Sequence, residues 1–252
     1  MKIIENLHYT KRNNETDLAK IYLPEKESFP VFLYFHGGGL ERGSLESAAV
    51  LGPYLAERGI AVVSVNYRMY PDAKFPDFLV DGANAARWVR DEMKKYGEVL
   101  GLFVGGSSAG GYMSMMLCFD KRYLAEAGLE PTDIAGYVHD AGQPTTHFNV
   151  LRERGIDSRR VIIDEAAPLY FVGEEKEYQP MMFIVSDNDM VGRFEQTQLM
   201  MRTLSHFEYD TSKISYRLMN GKHCAYVRAK DEAGNSVLGK MIEELILSVN
   251  SK

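Results

Sequence analysis

Short apolar runs recur along the chain with amphipathic stretches between them. The runs at 18–23, 31–35, 60–66, 100–105, 134–139, 181–186 and 214–219 are rich in Val, Ile, Leu and Phe. From the second onward they carry almost no charge, the pattern of strands covered on both faces of a mostly parallel sheet. Positions 45–58, 78–96, 109–118, 193–207 and 235–249 predict helices. In the second of these, Phe78, Ala85, Trp88, Val89 and Met93 return at three- and four-residue steps. Strand and helix in alternation predict an α/β fold, one open sheet with helices on both faces. The segments up to Leu23 precede any helix and predict an antiparallel hairpin at one edge. No internal repeat or linker divides the chain, so 1–252 is expected to form a single domain. One stretch breaks the alternation. Residues 143–167 hold Thr145, Thr146 and His147, then the charged groups Arg152-Glu153-Arg154 and Ser158-Arg159-Arg160. This stretch reads as too polar for core and too long for an ordinary connection. It is expected to lie as a small lid over the carboxyl ends of the strands, where open α/β sheets bind ligands.

Composition narrows the partners. Across 252 residues, 29 Lys and Arg face 35 Asp and Glu for a formal charge of −6, without a long basic cluster, so nucleic acid is not an expected partner. The apolar runs fall far short of the ~20 residues that span a bilayer, so no membrane partner is expected either. The N-terminus reaches an acid at Glu5 without the apolar region of a signal peptide. That points to a cytoplasmic protein, although a chain trimmed of a leader would read the same. Cys118 and Cys224 make no disulfide framework, and no HExxH, CxxC pair or carboxylate cluster suggests a metal or a cofactor.

Chemistry concentrates in the loops. After the run ending at Gly105 comes Gly106-Ser107-Ser108-Ala109-Gly110-Gly111, then a helical pattern at once. This is G-x-S-x-G centred on Ser108, a sharp strand-to-helix turn in which a side chain at Gly106 or Gly110 would strike its neighbours. His36-Gly37-Gly38-Gly39 follows the run at 31–35 and offers unobstructed N–H groups to an oxyanion, Gly37 and Gly38 being the expected donors beside the N–H of Ala109. His36 is expected to brace that loop. A general base should follow the last strand, and His223 stands there; the acid that orients it should follow the strand before, where Asp187 and Asp189 both qualify. The order Ser108, Asp, His223 is the order of an acyl-transfer triad on this kind of elbow. Arg68 and Asp81 are expected to tie 67–76 to the following helix, and His139 and Asp140 to act as strand-end hydrogen bonders. Met113 and His147 are the candidate substrate contacts.

The His-Gly-Gly-Gly loop, the Gly-Ser-Ser-Ala-Gly-Gly elbow and the stretch Val65-Asn66-Tyr67-Arg68-Met69-Tyr70-Pro71-Asp72-Ala73-Lys74-Phe75-Pro76 together resemble the α/β-hydrolase superfamily, over about Val31 to His223. Within it the likeness is to hormone-sensitive-lipase-like esterases and their short bacterial acetyl-esterase relatives. The resemblance implies Ser108 as nucleophile, His223 as base and Asp189 in preference to Asp187, since the acid in that family stands shortly before a hydrophobic residue, here Val191. The chain departs from many relatives at Ser107, where they carry an acid. With 35 residues before His36 there is no room for a large N-terminal cap in the chain as it stands, so the lid must come from 143–167. The implied activity is that of a serine carboxylesterase on short-chain acyl esters, with a small-molecule or oligosaccharide acetyl ester as partner. Feruloyl esters and the N-formyl amide handled by kynurenine-formamidase-like relatives are the alternatives, and a homodimer is left open. The rival from another class is a binding module that has lost its base, against which the retained Ser108, Asp and His223 weigh.

Overall fold

The computed structural model describes residues 1–250. Eight strands, β1 (Lys2–His8), β2 (Leu18–Leu23), β3 (Ser28–Phe35), β4 (Ala61–Val65), β5 (Glu98–Ser107), β6 (Gly136–Asp140), β7 (Met181–Asn188) and β8 (Ile214–Lys222), join in one sheet of order β1-β2-β4-β3-β5-β6-β7-β8. The pairs β1/β2 and β2/β4 are antiparallel and all others parallel. The helices are α1 (Leu51–Glu57), α2 (Asp77–Glu92), α3 (Ala109–Phe119), α4 (Lys121–Glu126), α5 (Phe148–Glu153), α6 (Arg193–His206) and α7 (Val237–Asn250).

The two-residue period of the strands divides the interior into two cores. On β3, Phe29, Val31, Leu33 and Phe35 face one core and Phe32 and Tyr34 the other; on β4, Val62 opposes Ala61, Val63 and Val65 in the same way. The first core is closed by α2, α3 and α6, the second by α1 and α7. Helix α7 supplies Leu238, Met241, Ile242, Leu245 and Ile246, one face at helical spacing.

Three local differences from the sequence pattern have physical reasons. The helix expected at 45–58 is a 3₁₀ turn at Leu45–Ala48 followed by α1. Pro53 lacks an N–H and would clash inside a continuous helix, whereas the first turn of α1 accommodates it. Helices α4 and α5 have six residues each, too few for a periodic signal. The 143–167 insertion is also not uniformly polar surface. Gln143, Thr145, Thr146, His147 and Asn149 are buried, and most of their polar atoms find partners, Asn149 Oδ1 being an exception. Gln143 Nε2 donates to the Thr146 carbonyl at 2.9 Å, Thr146 Oγ1 to Asp164 at 2.8 Å, and Asn149 Nδ2 to the Gly39 carbonyl.

The sheet order sets the site. The chain leaves β3 towards β4 on one side, while β5 lies on the other, with Phe35 opposite Gly106. The loops after β3 and β5 therefore part at a switch in strand order and leave a crevice between them.

Candidate active site

The turn after β5 holds Ser108 at φ 56°, ψ −112°, a left-handed conformation that a serine adopts only when its surroundings impose it. They do so by close packing: a Cβ on Gly110 would stand 2.0 Å from the Phe35 carbonyl oxygen, and one on Gly106 2.4 Å from the same atom. The Ser108 N–H donates to the Asp140 carbonyl at 2.7 Å, which pins the turn to the end of β6.

Ser108 Oγ lies 2.8 Å from His223 Nε2, and His223 Nδ1 lies 2.5 Å from Asp189 Oδ1. The side chain of Asp189 is fully buried and also accepts from the N–H groups of Met190 at 2.7 Å and Ser186 at 3.2 Å. Burial alone would raise its pKa, but these hydrogen bonds, that of His223 foremost, hold the carboxyl below the ordinary carboxylate range. Asp187 points elsewhere: exposed, it accepts from Gly221 N at 2.8 Å and Asn220 Nδ2 at 3.2 Å, and so holds the turn before His223.

The Gly37 backbone borders Ser108, since a Cβ there would stand 3.2 Å from Ser108 Cβ. Among the described residues, the N–H groups of Gly37, Gly38 and Ala109 donate no hydrogen bond. His36 donates from Nδ1 to the Gly37 carbonyl at 2.8 Å and stacks on Tyr67 at 4.3 Å. Burial draws its pKa down to about 4, so the ring is neutral. Tyr67 Oη in turn donates to the His36 carbonyl at 2.7 Å. The 67–76 stretch is tied to α2 by Asp81, which accepts from Arg68 N at 3.0 Å, from Arg68 Nε and Nη2 at 2.9 Å each, and from Arg12 Nη1 at 2.7 Å.

The cleft over Ser108 encloses about 550 Å³ and is bordered by Gly37 to Gly39, His223, Phe148 and Met190, and also by the polar side chains of Glu41, Arg42, Ser47 and Arg228. The two expected substrate contacts are absent from its walls. His147 is buried with its ring 4.3 Å from that of Phe148, and its Nδ1 caps α5 by accepting from Asn149 N at 3.2 Å. Met113 is buried in the first core, turned towards Gly82 of α2. Phe148, one residue beyond His147, is the insertion's contribution to the cleft. Helical phase decides between such neighbours, and a six-residue helix shows none in sequence. Among the described residues, no group of three His, Cys, Asp or Glu gathers as a metal site, and no helix is long and apolar enough to cross a membrane.

Two buried ionisable groups lie behind the site: Asp140, expected as a strand-end hydrogen bonder, and Arg193, which the sequence pattern does not single out. Arg193, at the start of α6, donates to the Ala141 carbonyl and, at 3.3 Å, to Gln143 Oε1, and so ties the root of the insertion to the helix after the Asp189 loop. Burial lowers its pKa to about 10. Asp140 accepts from Tyr226 Oη on Oδ1, while its Oδ2 is buried without a partner, and burial pushes its carboxyl up to about 6. An unfolded Asp ionises near pH 3.9. Between about pH 4 and 6 the folded state therefore holds the extra proton, and stability falls as pH rises through that window. Asp140→Asn, which keeps an acceptor for Tyr226, should remove this loss. Relative to the natural chain, the variant should gain up to roughly 3 kcal/mol between pH 4 and pH 7, measured by urea unfolding at both. Parallel pH curves for the two proteins would refute this account of Asp140.

The sequence profile of one family, described as an alpha/beta hydrolase fold, matches residues 32–233. Among curated relatives, the esterase LipI of Mycobacterium tuberculosis is 35% identical over 101 residues, 39% of this chain and 32% of that protein. An ethyl acetate hydrolase of Pseudomonas putida is 33% identical over 120 residues, 45% of this chain and 38% of that protein. The matched segments thus span about a third of the length of these relatives. Among solved structures, esterase B of Lactobacillus rhamnosis superposes with a TM-score of 0.81 at 16% identity, over 99% of this chain and 86% of that one.

Proposed function

The chain belongs to the α/β-hydrolase fold family that its residues 32–233 match, and on that premise we propose that it is a serine carboxylesterase acting on short-chain acyl esters, acetyl esters above all. The observation that carries this is the continuous hydrogen-bonded chain from Ser108 through His223 to the buried Asp189, opening into a cleft. Ser108 Oγ attacks the ester carbonyl while His223 Nε2 takes its proton, forming a tetrahedral oxyanion that accepts from the N–H groups of Gly37, Gly38 and Ala109. His223 then protonates the leaving alcohol. Water, deprotonated in its turn by His223, attacks the acyl-enzyme, and the acid leaves Ser108 free. Asp189 holds the imidazole in the tautomer that can accept from Ser108 and stabilises the imidazolium between these steps. Labelling by a fluorophosphonate tests the proposal: a folded protein that fails to label is not a serine hydrolase.

Acyl length should be selected sharply. A methylene gains its ~0.8 kcal/mol only where apolar groups take it out of water, and beside Phe148, Met190 and Val227 the cleft presents the polar side chains of Glu41, Arg42, Ser47 and Arg228. In a series of p-nitrophenyl esters from C2 to C12, kcat/KM should peak at C2 to C4 and fall steeply by C8. A maximum at C8 or longer, below micelle concentrations, would exclude the acetyl-ester reading and leave the triad standing. The same polar groups suit a hydroxylated alcohol, so acetylated xylo-oligosaccharides belong in the panel. The insertion 143–167 would serve as the small lid of this reading, its helix α5 being tied to the body by Arg152 to Glu41 at 2.7 Å and by Glu153, which accepts from Phe75 N at 3.0 Å.

A further inference from the structure

The cleft carries a charge that the proposed reaction does not use. Arg42 and Arg228 both border it, in a chain whose acids outnumber its bases. Other arginines around the site reach carboxylates: Arg68 meets Asp81 at 2.9 Å, Arg152 meets Glu41 at 2.7 Å, and Arg154 meets Asp164 at 2.8 Å. Arg42 and Arg228 make no ion pair among the described residues, and Arg228 has only a 3.4 Å contact from Nη2 to Ser47 Oγ. The one acid on the cleft wall, Glu41, is already engaged by Arg152. Two guanidinium groups therefore share a concave wall with no carboxylate of their own.

Their placement relative to Ser108 is set by the backbone. Arg42 N donates to the Gly38 carbonyl at 3.2 Å, and its Cγ stands 3.1 Å from where a Cβ on Gly38 would lie, so Arg42 rides on the loop that carries the expected oxyanion donors. Arg228 stands five positions after His223 in the chain and borders the same cleft, as do Val227 and Tyr34, whose hydroxyl donates to Ser107 Oγ at 3.0 Å. A planar guanidinium matches a carboxylate with two parallel hydrogen bonds. Near a cleft wall the attraction is less screened than on open surface.

We propose that Arg42 and Arg228 receive a carboxylate on the alcohol part of the ester, so that the preferred substrates are short-chain acyl esters of carboxylate-bearing alcohols, such as acylated hydroxy acids or acidic sugars. This rests on the carboxylesterase reading. The alcohol side follows from it, since a C2 to C4 acyl group ends close to Ser108 and leaves the rest of the cleft to the other half of the substrate.

The test compares 4-acetoxyphenylacetate with its methyl ester, a pair that keeps the acetyl group and nearly the same phenolic leaving group and differs in the charge. The anion should show kcat/KM about five- to tenfold higher, mostly through KM. The ratio should fall towards one in 0.5 M NaCl and in Arg42→Gln/Arg228→Gln. A parallel pair, mono(4-nitrophenyl) succinate against 4-nitrophenyl butyrate, places the charge on the acyl side. A preference confined to that pair overturns the alcohol-side assignment. Equal use of both acetoxy esters, or a ratio unchanged in the double variant, overturns the proposal. Calorimetric binding of 4-hydroxyphenylacetate against its methyl ester reads the same two arginines without turnover. Selective binding of the anion, lost in the double variant, would support the site even if esterase activity were absent, and equal binding would refute it.

Discussion

Ser108→Ala is expected to lower kcat by about 10⁵- to 10⁶-fold, leaving what the oxyanion donors and substrate binding achieve alone. No other hydroxyl can take its place. Ser107, the adjacent serine, is buried with its Oγ accepting from Tyr34, and it makes no hydrogen bond to His223 among the described residues. Ser107→Ala should therefore keep most of the activity and show its effect in stability, because the buried Tyr34 hydroxyl loses its acceptor at a cost of about 1–3 kcal/mol. Steady-state kinetics on p-nitrophenyl acetate together with urea unfolding separate the two effects. Similar kinetic losses from both substitutions would remove Ser108 from the nucleophile's role.

Asp189→Asn should cost about 10⁴-fold in kcat. The amide that replaces the carboxylate offers Nδ2 as a donor to His223 Nδ1. That contact favours the imidazole with its proton on Nε2, the nitrogen that must accept from Ser108. Asp187→Asn should change kcat only slightly, since the new Oδ1 still accepts from Gly221 N and the turn before His223 keeps its hold. The two variants carry the same change two residues apart, so general damage to the loop would affect both. A larger loss at Asp187 would transfer the acid's role to it, and small equal losses would place the acid elsewhere.

The strand and helix order was legible in the chain because both signals are local. The run at 31–35 lacks charge since β3 is covered on both sides, and Leu238, Met241, Ile242 and Leu245 keep helical spacing since one face of α7 meets the sheet. The elbow was legible for a similar reason. Phe35 comes so close to Gly106 and Gly110 that the positions around Ser108 admit only small residues, and that restriction is written in consecutive letters. The base stood out because His223 follows the last strand.

The rest depended on contacts between segments far apart in sequence. Asp187 and Asp189 lie on one short loop and differ only in what β8 and its following turn bring to each: Gly221 to the first, the His223 ring to the second. Polarity in 143–167 read as too great for core, yet its first part, with Gln143, Thr145, Thr146, His147 and Asn149, is buried where Asp164, Gly39 and Arg193 arrive as partners. Phe148 reaches the cleft in place of the expected His147, through the direction of a six-residue helix. Asp140 is raised by burial beneath Tyr226, 86 positions later. The sequence by itself determined the element order, the glycine-bounded elbow at Ser108 and the position of His223 after the last strand, since periodicity and steric restriction act between neighbours along the chain. Only the tertiary structure decided which carboxylate meets His223, which side chains wall the cleft and which charges are left unpaired, since hydrogen bonding and desolvation depend on what the sheet order brings alongside.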